Sequence, residues 1–171
     1  GDTVYVANGV YKEQIVMIPG LSLIGSGIDS CIIDTGELVQ PASFYTITFL
    51  DSCLVKGFYI LVSFERIGIG ISIAGSISQP IHGLIQCNKI SNAAVGVWTD
   101  NGNIEIKNNL IVNIDYGMHL GAAYPNYYPV IDSNYIYATR NGVSISVGTK
   151  PIIRNNTFYL DDPFARAYSG G

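Results

Sequence analysis

The amino-acid sequence predicts an all-β chain. It is read as a single-stranded right-handed parallel β-helix, a solenoid of roughly seven coils forming one domain over residues 1–171. Three observations carry this. β-branched residues dominate the apolar set, with 25 Ile and 13 Val against 10 Leu, and branching at Cβ stiffens χ1 in the way strands favour. One short motif returns four times, and a second marker follows it at a fixed offset.

The motif is apolar, two residues, Asn, one residue, apolar. It occurs as Ile85-Gln86-Cys87-Asn88-Lys89-Ile90, Ile106-Lys107-Asn108-Asn109-Leu110-Ile111, Ile131-Asp132-Ser133-Asn134-Tyr135-Ile136 and Ile153-Arg154-Asn155-Asn156-Thr157-Phe158. Its asparagines lie 21, 25 and 22 residues apart. Eight residues after Asn88, Asn109 and Asn134 come Gly96, Gly117 and Gly142. Each opens an alternating run: Gly96-Val97-Trp98-Thr99, Gly117-Met118-His119-Leu120 and Gly142-Val143-Ser144-Ile145, with Gly70-Ile71-Ser72-Ile73 as a looser copy.

Three strands of about 3–5 residues and their turns consume roughly 21–25 residues, one coil of a solenoid. Successive coils would hydrogen-bond in parallel about 4.8 Å apart. The recurrent Asn is expected at a tight bend in the left-handed region, which Asn tolerates, with its amides stacked along the axis. The 19 glycines are expected to serve turns that need positive φ. A helical reading fares poorly, because Ser43-Phe44-Tyr45-Thr46-Ile47-Thr48-Phe49-Leu50 alternates at period two. A β-sandwich would need hairpin turns about every 8–12 residues.

The length suits one domain with a sizeable core. The opening at Gly1, inside a strand motif, reads as a mature protein or as a piece of a longer chain. A net charge of −4 disfavours phosphate-driven nucleic-acid binding, and no apolar run of about 18 residues is present to span a bilayer. Cys31, Cys53 and Cys87 show neither a CxxC pair nor a disulfide framework. They are expected as small buried side chains within strands.

The opening Gly1-Asp2-Thr3-Val4-Tyr5-Val6 through Gly9 and Tyr11, then Leu23-Ile24-Gly25 and the Asn-Asn repeats, resembles the pectate-lyase-like superfamily of right-handed parallel β-helices. The likeness covers essentially the whole chain. It implies the fold, a polysaccharide or glycan partner, and an extracellular, cell-surface or periplasmic location. The superfamily holds polysaccharide lyases, polygalacturonases, pectin esterases, phage tailspikes, adhesins and a periplasmic copper-processing protein, so the resemblance does not choose an activity.

In a strand that opens Gly-in-out-in, the third residue faces away from the core. Ser72, Trp98, His119 and Ser144 are therefore expected in one outward column. Continuing eight residues past Asn156 reaches Phe164 and sets Arg166 next in it. In the superfamily this sheet floors the substrate groove. Asp100, Asn101 and Asn103 follow Trp98, and Lys150 follows the Ser144 strand. The insertion Gly121 to Pro129 carries Tyr124, Tyr127 and Tyr128. Amphipathic rings of this kind suit stacking on sugars. The expected substrate-binding set is thus Trp98, Asp100, His119, Tyr124, Tyr127, Tyr128, Ser144, Lys150 and Arg166. The competing reading is an aromatic loop folded over a side strand or packed on a neighbouring domain.

Catalytic signatures are thin. Asn156-Thr157-Phe158 lacks the acid that the resemblance implies for polygalacturonases, and Asp161-Asp162 is read as a turn or helix-start pair rather than a hydrolytic one. Two histidines and three separated cysteines give no transition-metal spacing. No cofactor is assigned, and calcium stays open because oxygen ligands carry no sequence motif. Three function classes follow: first a carbohydrate-binding module, then a polysaccharide lyase or glycoside hydrolase, then a structural, assembly or adhesin module. Solenoid ends expose unpaired strand edges, so a further domain or chain is expected to contact at least one end.

Overall fold

The computed structural model describes residues 1–36, 44–62, 67–76, 79–122, 127–162 and 166–170, with only the backbone of 166 and 168–170. Every strand pairing among them is parallel, and three faces repeat along one axis. Face 1 stacks seven strands: β1 (Thr3–Val6), β4 (Ser22–Gly25), β7 (Cys53–Lys56), β10 (Ile81–Gln86), β13 (Gly102–Lys107), β15 (Val130–Asp132) and β17 (Ile152–Arg154). Face 2 follows as β2 (Gly9–Tyr11), β5 (Cys31–Asp34), β8 (Tyr59–Leu61), β11 (Lys89–Ser91), the first parts of β14 (Leu110–Gly121) and β16 (Tyr135–Ile145), and β18 (Thr157–Leu160). Face 3 stacks β3 (Ile15–Val16), β6 (Tyr45–Phe49), β9 (Ile69–Ala74), β12 (Val95–Asp100), the second parts of β14 and β16, and β19 (Arg166–Gly170). The seven strands of face 1 mark seven coils joined by six coil-to-coil steps, matching the solenoid read from the repeat spacing.

The alternation of each strand sends one residue type inward at every level. On face 2 the inward row is Ile33, Ile60, Ile90, Ile111, Ile136 and Phe158 in direct register. Val55, Ile85, Ile106 and Ile131 do the same on face 1, and Ile47, Ile71, Val97, Met118 and Val143 on face 3, all fully buried. Burying an isoleucine of this kind contributes about 1.5–3 kcal/mol. β-branched side chains fill such rows well because each ring of the stack repeats the same pleated surface.

The corner between faces 1 and 2 is an asparagine ladder. Asn88 donates from its backbone N and its Nδ2 to Asn109 Oδ1 (3.0 and 3.2 Å), Asn109 does the same to Asn134 Oδ1 (2.9 and 3.0 Å), and Asn134 to Asn156 Oδ1 (2.9 and 3.0 Å). The Nδ2 groups also donate to the carbonyls of Val55, Ile85, Ile106 and Ile131. In coil 3 the ladder position is Phe58, whose backbone N donates to Asn88 Oδ1 at 3.1 Å.

Three sequence expectations are corrected here. The left-handed residue is the one before each ladder asparagine, namely Cys87, Asn108, Ser133 and Asn155 with φ of 54–57°. That residue turns the chain with its side chain outside, and the next residue can then point its amide inward. Cys87 is consequently exposed at a corner, unlike the buried Cys31 and Cys53. The marker glycines are not left-handed either. Gly117 is required by space: a Cβ there would collide with the Gly142 carbonyl oxygen and lie 2.6 Å from Ile136 Cγ2.

Candidate functional site

Face 3 carries the outward column in the predicted order. Val16, Thr48, Ser72, Trp98, His119 and Ser144 are successive partners in the parallel register. Their flanking residues Val97, Thr99, Met118, Leu120 and Val143 are buried, so the column's side chains must leave the core. Ser72 is small and lies between Thr48 and Trp98, which leaves it buried rather than presented.

The centre of the column is a stacked pair. The rings of Trp98 and His119 lie 4.1 Å apart between centroids with 27° between their planes. Residues one coil apart on a parallel sheet are held at this separation by the backbone, so two flat rings in register stack face to face. Asp100, two residues on and on the same side of β12, accepts the indole Nε1–H of Trp98 at 2.9 Å. This bond fixes the indole about its side-chain torsions. Asp100 pairs with Gly121 in the next coil, and a Cβ at Gly121 would collide with Asp100 Oδ1. The absence of a side chain at Gly121 thus makes room for the carboxylate. Burial pushes the His119 imidazole below its ordinary pKa, opposed by the nearby Asp100 charge, which leaves His119 neutral at pH 7.

The remaining expected residues spread out. Arg166 leaves the column: it pairs with Asn141, and Ser169 takes the place beside Ser144. The reason is three extra residues in the last coil, since Val143 follows Asn134 by nine residues but its partner Tyr168 follows Asn156 by twelve. Tyr127 is only 5% exposed, with its hydroxyl donating to the Ser76 carbonyl at 3.5 Å. It is a packing residue that pins the insertion across earlier coils, with no ring face left for a ligand. Tyr128 is exposed at the corner beyond face 3. Its backbone N donates to Asn103 Oδ1 at 2.7 Å, and Lys150 Nζ lies 6.0 Å from its ring centroid. Tyr124 lies outside the described residues. His82 sits on face 1 beside Asp51, away from His119.

A second constellation escaped the sequence reading. At the corner between faces 2 and 3, Asp115, Thr139, Arg140, Asp161 and Asp162 line a cleft of about 510 Å³. A signal for it was present: Asp115, Arg140 and Asp162 each stand six residues after a ladder asparagine. Among the described residues no group of three or more His, Cys, Asp or Glu is arranged to hold a metal ion, and no chemistry is routed through one.

Comparison with known proteins bears on the fold. Residues 50–165 match the family described as the right handed beta helix region. A solved pectin methylesterase from Aspergillus niger, in deglycosylated form, is similar at 15% identity and a TM-score of 0.49, over 99% of this chain and 76% of that one. None of the curated proteins compared matches the chain. The family match takes in well over half of the sequence and falls on the coils whose ladder and inward rows were just described, and on that ground the chain belongs to the right-handed β-helix family.

Proposed function

We propose that this protein is an extracellular or surface carbohydrate-binding β-helix module, with a glycan lying along face 3 across Trp98, Asp100 and His119. The observation that carries this reading is the stacked Trp98–His119 pair, whose indole is fixed by Asp100. A pre-set aromatic platform binds a sugar face with little ordering cost. The carboxylate beside it accepts hydroxyl hydrogens, and a neutral imidazole both donates and accepts. Ser144, one coil further, extends the polar edge. The superfamily resemblance supports a polysaccharide as the partner at the level of expectation.

The test is binding to a panel of polysaccharides by calorimetry. Trp98→Ala is expected to weaken binding at least about tenfold, and Trp98→Phe to keep part of it. Unchanged affinity in Trp98→Ala, with the fold intact by circular dichroism, ends this reading. One observation favours a lyase as the second reading: the burial that keeps His119 neutral leaves it able to take a proton. Incubation with uronate polysaccharides separates the two, since only a lyase creates unsaturated ends that absorb in the ultraviolet.

A further inference from the structure

The cleft at the corner of faces 2 and 3 has the composition of a second binding site, away from the Trp98 column. It exists because β14 and β16 run through this corner without a break, shifting register around Ile114. The bend turns Asp115 outward in coil 5 and Thr139 and Arg140 in coil 6, above Asp161 and Asp162 in coil 7. The polar groups hold one another in place. Thr139 Oγ1 donates to Asp115 Oδ1 at 2.9 Å, and the Tyr137 hydroxyl donates to Asp161 Oδ2 at 2.7 Å. Arg140 Nη1 donates to the Tyr116 hydroxyl at 3.3 Å, with the guanidinium 5.8 Å from that ring's centroid. On face 2, outside that lining and joined to it through Asp161, Tyr159 meets Tyr137 edge to face, centroids 4.9 Å apart at 83°, and Tyr159 is 54% exposed.

Three features select the ligand chemistry. An exposed tyrosine ring braced by a second ring presents a flat apolar surface of the size of a sugar's C–H face. Each carboxylate accepts at two oxygens, so Asp115 Oδ2 and Asp161 Oδ1 keep capacity for sugar hydroxyls, while Arg140 supplies donors in a fixed fork. Among the described residues the lining carries three carboxylates against one guanidinium, a balance that disfavours a ligand bearing carboxylates of its own.

We infer that this cleft binds a non-acidic glycan, with one sugar ring on Tyr159 and its hydroxyl or amino groups held by Asp161, Asp115 and Arg140. The inference is independent of the face 3 reading. Its test is calorimetry of the full chain with short oligomers of glucose, of glucosamine and of galacturonate. At least one of the first two binds. Tyr159→Ala and Asp161→Asn each weaken that binding at least about tenfold, Tyr159→Phe keeps most of it, and Trp98→Ala leaves it unchanged. Tighter binding of glucosamine that fades with salt identifies an ammonium among the carboxylates, and equal binding of both identifies hydroxyl recognition.

Three results overturn the inference. One is binding of neither non-acidic oligomer, and another is galacturonate binding as tightly as they do. The third is affinity that stays within about twofold in both Tyr159→Ala and Asp161→Asn while their thermal melts remain native. Loss of binding in Trp98→Ala alone would move the ligand to face 3, sinking this proposal while upholding the other.

Discussion

The ladder corner and the outer surface of face 3 are made by the same coils, yet they spend polar groups in opposite ways. At the corner Asn88, Asn109 and Asn134 are 1–2% exposed, and every amide bonds to the coils on both sides. On face 3, Trp98 and His119 stack on each other while Asp100 accepts the indole N–H. One region repeats asparagine over four successive coils, and the other changes from Ser72 to Trp98 to His119 to Ser144. Repetition along the axis therefore marks what holds the solenoid together, and departures from repetition mark where a ligand-specific surface could be built.

The strongest way to break this contrast is Asn109→Ala. It removes the acceptor for two Asn88 donors and the amide that donates to the carbonyls of Ile85 and Lys107. A loss of roughly 3–5 kcal/mol is expected, read from the urea midpoint with the slope unchanged. A loss under about 1 kcal/mol would make the ladder incidental. Gly117→Ala comes next, at roughly 1–3 kcal/mol, because the new methyl meets a backbone carbonyl that cannot swing aside. A variant as stable as the parent would show that the coils separate freely at face 3.

The smallest effect is one of pH. Burial lowers the His119 pKa, so as pH falls the unfolded chain takes this proton before the folded one does. The stability it contributes is complete above the unfolded value of 6.5 and is lost as pH falls from there toward the lower folded value. Melting temperature should dip slightly over that window, and His119→Gln should flatten the dip. The ladder has no titrating group and should add nothing there. A melting temperature that rises on acidification through the window would contradict the burial of this imidazole.

Most of the architecture was legible because the period alone makes Asn88, Asn109, Asn134 and Asn156 axial neighbours, and the same count aligns Trp98 with His119. What failed did so for local reasons. Arg166 was displaced by three residues in a coil that has no glycine marker to announce the shift. Tyr127 belongs to an insertion, and no repeat says which way an inserted ring will fold. The left-handed position was read one residue late, since Asn108 and Asn155 stand beside ladder asparagines and the letter is identical. The corner cleft joins Asp115, Arg140 and Asp162, residues of opposite charge at one offset, and a search for repeated letters passes over them.

The amide row begins at Phe58, which can lend it a backbone hydrogen but no side-chain oxygen. Coils 1 and 2 thus lack the ladder and cohere through sheet bonds, packing and separate side-chain bonds, from Ser26 Oγ to Asn8 Oδ1 and from Gln14 Nε2 to the Tyr45 carbonyl, and coil 1 leaves Val4, Tyr5, Val10 and Val16 exposed. Opening free energies should accordingly be graded from one end to the other. Trp98 and His119, in coils 4 and 5, lie within the laddered segment, so opening of the first coils need not disturb them.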